Sequence, residues 1–116
     1  FTPFQWCGML PQKLLEKRLE LLKKGVRRLS NVSLQAESLK EALLQALLSR
    51  GDRSLSAFIL KADETGSWRK AAKELGLDAE REATRVIPLE EELPWGFIEG
   101  TSLELLKREH RLAFGV

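Results

Sequence analysis

Cysteine is nearly missing from this chain: Cys7 stands alone among 116 residues, beside a single histidine, a single methionine and no tyrosine. One cysteine excludes an internal disulfide and leaves a reducing compartment, by default the cytoplasm, as the expected setting. One cysteine and one histidine, far apart in sequence, also cannot supply the three or four ligands of a zinc site. No run approaches the ~18 apolar residues that cross a bilayer, and the first residues lack the basic start and apolar centre of a signal peptide, so no membrane partner is expected. Neither GxxxxGK[ST] nor GxGxxG occurs, which removes the two commonest phosphate cradles. The first residue is Phe1 rather than Met, from which we expect a fragment or a processed product.

What is present suits a folded chain. Hydrophobic residues make up 43% and charged residues 31%, enough apolar surface for a core and more than disordered chains carry. At this length one domain, residues 1–116, with one small core is expected. Net charge is +2, but residues 1–60 hold ten Lys and Arg against five acids, while residues 61–116 hold nine against twelve. Two halves of one domain facing each other account for that asymmetry without nucleic acid, which is not the expected partner.

Periodicity predicts a mainly α fold of about five helices. Leu10, Leu14, Leu15, Leu19, Leu22, Val26 and Leu29 recur at spacings of three and four, with Pro11 suited to a first turn, so a helix runs over about 11–29. Val32 and Leu34 alternate with Ser33 and Gln35, the pattern of a short half-buried strand over 31–36. Its partner is left open between residues 84–88, where Pro88 limits a strand, and a segment outside the chain. Ser38 with Glu41 marks the start of a helix that Gly51 stops. Asp52 or Ser54 caps the next, which ends at Gly66, and Ser67 caps a short one ending at Gly76. Residues 77–100 read as mostly irregular, and Thr101 or Ser102 opens a last helix carrying Leu103, Leu106 and His110 on one face.

Candidate chemistry is sparse. Cys7 with His110 would make a nucleophile and base only if the fold joined them, and a packed thiol and a hydrogen-bonded imidazole explain both residues more simply. We assign no catalytic, cofactor-binding or metal-binding residue within the chain. Two features are left over: the charged junction Arg50, Gly51, Asp52, Arg53 between two helices, and the aromatic segments TPFQW and LPWGFIEG. The bland account of the junction is a helix cap with paired arginines. The aromatics, if exposed together, form an apolar patch large enough to be an interface.

Taken in order, TPFQW at 2–6, SRGDRS at 49–54, GSWRKA at 66–71 and LPWGFIEGTSLELLKREHRLA at 93–113 resemble the C-terminal part of a family of radical SAM proteins. These are Fe-S oxidoreductase-like proteins, several with an N-terminal cobalamin-binding-like domain. The resemblance implies that TPFQW follows the last strands of a radical SAM barrel and that the remaining motifs belong to the tail behind it. Two departures stand out: Ser54 where the family has a second Arg, and Gly96 with Phe97 where it has Asp and His.

The resemblance further implies a [4Fe-4S] cluster and S-adenosylmethionine in the parent protein, with cobalamin where the further domain exists, and none of them in this chain. The expected role is an accessory and substrate-specificity domain, inactive by itself, whose partners are its own upstream radical SAM domain and an unidentified substrate. Segments of this kind close the barrel and keep water from the radical. Phe4, Gln5 and Trp6 would then contact substrate or the barrel rim, followed by Arg50, Asp52 and Arg53. Loss of the barrel would leave the aromatic ends free for self-association. The alternative function, from another class, is a stand-alone helical module that binds protein or RNA through its basic first helix.

Overall fold

The computed structural model describes residues 2–115. Six α-helices follow one another: α1 (Gln12–Val26), α2 (Leu39–Arg50), α3 (Ser56–Thr65), α4 (Trp68–Glu74), α5 (Ala79–Thr84) and α6 (Leu103–Phe114), with a 3-10 turn at Arg53–Leu55 before α3. The mainly α expectation holds, with one helix more than the five predicted. The addition is α5, in a stretch read as irregular. Asp78 accepts the Arg81 N–H at 3.0 Å and satisfies one of the orphan donors of that helix start.

Local chemistry sets most boundaries. Gly51 ends α2, and Asp52 accepts the Ser54 N–H at 2.8 Å to open the 3-10 turn. Gly66 closes α3 in the left-handed region, φ 63°, where a side chain is strained, and Ser67 then accepts from the Lys70 N–H to begin α4. Across this two-residue connection α3 packs against α4, Phe58 against Ala71 and Ala72. Ser38 and Ser102 precede α2 and α6 without a side-chain hydrogen bond to the helix start, so the caps expected of Ser38 with Glu41 and of Ser102 do not form.

The interior comes in two clusters where one small core was expected. Leu47, Phe58, Ala71, Ala72 and Ala79 form the first, between α2, α3, α4 and α5; the small alanines let the helices approach closely. Trp6, Ile87, Leu93 and Leu106 form the second, which joins the N-terminal segment, the 87–95 loop and α6. No helix is long and apolar enough among the described residues to cross a membrane.

The strand expected at 31–36 is not formed among the described residues. That segment is irregular and exposed, Val32 and Leu34 included, with no neighbouring strand to complete it. Its suggested partner is otherwise engaged. Ile87 N–H donates to the Trp6 carbonyl at 2.8 Å, and Met9 N–H donates to the Ala83 carbonyl at 2.9 Å, so residues 83–87 run beside residues 6–9.

Candidate functional site

The motifs that the sequence singled out meet around the N-terminal segment. Two short turns shape it: Gln5 N–H reaches the Thr2 carbonyl at 3.1 Å and Cys7 N–H the Phe4 carbonyl at 2.9 Å. Gly8 then passes so close to the end of α5 that a Cβ there would sit 1.9 Å from the Thr84 carbonyl oxygen. Only glycine fits such an approach. Phe1, just ahead of the segment, lies outside the described residues.

Arg50 holds this crossing together. Its guanidinium donates to the Cys7 carbonyl at 2.6 Å, the Arg85 carbonyl at 2.6 Å and the Glu82 carbonyl at 3.3 Å. Two of those carbonyls belong to the C-terminal end of α5, where the helix leaves acceptors unsatisfied and the backbone dipole favours a cation. Burial, then the neighbouring Arg85 charge, pushes Arg50 below the ordinary guanidinium value, against weaker opposing pulls from Cys7, Glu82 and Glu91. It stays charged, as arginine does in proteins. Arg85 in turn grips Glu91 through two bonds, 3.1 and 2.8 Å, and its Nε donates to Glu82 at 3.3 Å. Those hydrogen bonds draw Glu91 below the usual carboxylate range and raise Arg85.

The second aromatic segment packs against the first. Gly96 N–H to the Leu93 carbonyl, 2.8 Å, and Ile98 N–H to the Trp95 carbonyl, 3.0 Å, fold LPWGFI into consecutive turns. Trp95 Nε1 donates to Gln5 Oε1 at 3.1 Å and so links the two motifs directly, across 90 residues of sequence. His110 fastens the other side. Its Nδ1 lies 2.7 Å from the Pro3 carbonyl oxygen, and because a carbonyl only accepts, that nitrogen carries a proton. The ring packs edge-on to Trp6 at 5.4 Å and beside Phe114 at 4.7 Å.

The structure therefore separates the six singled-out residues by job. Trp6 is 1% exposed at the centre of the second cluster, with its Nε1 buried and without a hydrogen-bond partner among the described residues. Phe4, 58% exposed, touches Phe114 edge-on, and Gln5 is half-buried under Trp95. Arg50 is committed to backbone carbonyls, Asp52 caps the turn before α3 and is held below the usual carboxylate range chiefly by the Ser54 hydrogen bonds, and Arg53 is exposed. Phe4, Gln5 and Arg50 come together around one hollow, Asp52 shares another with Arg50, and Arg53 lines neither.

Hollows flank this crossing, one of about 370 Å³ lined by Arg50, Asp52, Glu82, Arg85 and Glu91. A shallow, mainly apolar one of about 610 Å³ is lined by Phe4, Gln5, Met9, Arg50, Trp95 and Ile98. A narrower cavity of about 260 Å³ lies between Trp95, Glu90 and Lys107. Sequence reasoning missed Trp95 as a partner of Gln5 and Arg85 as the bridge to Glu91; neither long-range pairing leaves a periodic signal. His110 commits Nδ1 to the Pro3 carbonyl and packs its ring on Trp6 and Phe114. No protein-family model matches this chain, and no curated protein or solved structure matches it. The donor set does not fit a radical SAM cluster, which takes three cysteine thiolates where this chain has one. No group of three or more His, Cys, Asp or Glu among the described residues could hold a metal ion.

Proposed function

We propose that these residues are the C-terminal accessory and substrate-specificity domain of a cytoplasmic radical SAM, Fe-S oxidoreductase-like enzyme, without catalytic activity by themselves. The observation that carries the reading is the convergence of the family-like motifs: TPFQW, the arginine of SRGDRS and the tryptophan of LPWGFI line one shallow apolar hollow. Aromatic side chains left at a surface in this way suit a covered interface. In this reading the hollow faces the upstream barrel and its substrate. Phe4 and Gln5 make the contact, while Trp6 and Arg50 hold their backbone in place from behind. The cluster and S-adenosylmethionine belong to the upstream domain, and cobalamin to a further one where present. Val32 and Leu34 then complete a strand against that barrel, the role their alternation suits.

A double replacement tests the contact. In the longer protein, Phe4→Ala with Gln5→Ala is expected to reduce turnover or substrate affinity about tenfold or more, roughly what loss of two interface contacts costs. Thermal stability of the isolated chain should fall only modestly, by about the 1 kcal/mol of the Gln5–Trp95 hydrogen bond, since Phe4 is exposed. Unchanged turnover and affinity would count against the reading. A second reading, a stand-alone helical module binding protein or RNA, is favoured by α1, none of whose residues is buried.

A further inference from the structure

The first helix is built to be covered, yet no residue of α1 is buried. Leu15, Leu19, Leu22 and Val26 fall at spacings of four, three and four, and Leu29 continues the series one turn beyond. This is the alternation of the two apolar positions in a coiled-coil heptad. Leu22 is 55% exposed, and Leu29, just past the helix end, 54%, while Leu15, Leu19 and Val26 are half-buried within the chain. The chain as a whole carries 8810 Å² of surface, where a compact protein of 13.2 kDa has about 6,400 Å². The surplus exceeds the roughly 800 Å² that each partner contributes to a standard interface.

We propose that the occupant of this face is α1 of a second copy, packed antiparallel about a two-fold axis near residues 20 and 21. Charges flanking the stripe select both the partner and the direction. With Leu19 and Val26 in one heptad position and Leu15, Leu22 and Leu29 in the other, Glu16 and Lys23 flank one side and Arg18 and Gly25 the other. An antiparallel pair sets Glu16 against Lys23 of the second copy, twice by symmetry, and Arg18 against Gly25. A parallel pair would set Arg18 against Lys23 twice, two repulsions. Lys13, Lys17, Lys24 and Arg28 remain on the outer face, in water. A nucleic acid would use those cations and leave the leucines uncovered. The proposal does not depend on the radical SAM reading, because the hollow at Phe4 and Trp95 is not lined by α1.

The test is sedimentation equilibrium over a concentration series, under reducing conditions so that Cys7 cannot link two copies. The chain should dimerise, and Leu22→Lys should be monomeric with unchanged helical circular dichroism. Lys23→Glu should weaken the dimer about tenfold, the scale of two surface attractions turned to repulsions. Adding Glu16→Lys to that variant should restore it. A monomer at every concentration overturns the proposal, as does a dimer that tolerates Leu22→Lys. A Lys23→Glu dimer that is tighter than the parent overturns the antiparallel direction. Binding of the monomer to phosphatidylserine vesicles or to RNA through α1, with no dimer, would give the face to those partners instead.

Discussion

Arg50 draws the eye in the sequence as a ligand residue, and its three bonds to carbonyl oxygens make it a clasp instead. Its planar fork reaches three acceptors at once, which a lysine cannot. Arg50→Lys should therefore lose most of the stabilisation, and Arg50→Ala should cost about 2–4 kcal/mol by leaving partly buried carbonyls unpaired, as read by chemical denaturation. Gly8→Ala should destabilise by about 1–3 kcal/mol or more, because the Thr84 carbonyl it would strike is backbone and yields only if the crossing opens. At Trp6 the shape of the loss is informative. Trp6→Ala should cost about 3–5 kcal/mol through the cavity it leaves. Trp6→Phe should cost far less, since it removes a buried N–H that has no partner among the described residues. Equal losses for the two variants would mean that the indole nitrogen is bonded after all.

At the scale of elements, what could be read from sequence was what neighbouring residues decide. The stops at Gly51 and Gly66 and the Ser67 cap follow from local chemistry, and each is where the pattern put it. Six-residue α5 gives no apolar period, and only Asp78, followed by Glu80 and Glu82 in the first turn, announces it. Periodicity also overstates burial: Leu103 shares its predicted face with Leu106 and His110 yet remains exposed. Long-range partners are invisible to such patterns, which is why Gln5 with Trp95 and residues 6–9 beside 83–87 emerged only in three dimensions.

The arginine bridge between α5 and the acidic run has a pH signature. Glu91 is depressed on folding, so its contribution is present above the unfolded carboxylate value and is lost as pH falls through the folded one. Asp52 behaves alike. Thermal stability should be level from neutral pH down to about 5 and fall below about 4. Glu91→Gln should flatten part of that fall; an identical acid limb would show that the bridge contributes nothing in solution.

The whole molecule is broad and thin, 48 × 43 × 22 Å, with a radius of gyration of 17.4 Å where a compact chain of this length has about 13 Å. Two small clusters joined by the Arg50 crossing explain the shape, since neither is large enough to gather α1 and the 27–38 segment around it. Such a form suits a part that others cover, as proposed for a second copy along α1 and for an upstream domain over the aromatic hollow. Whether this chain serves a radical SAM enzyme, as proposed, is decided by anaerobic iron and sulfide reconstitution of the protein translated with its upstream reading frame. A brown protein binding about four irons per chain through upstream cysteines is expected. A protein that binds no iron after reconstitution would contradict it.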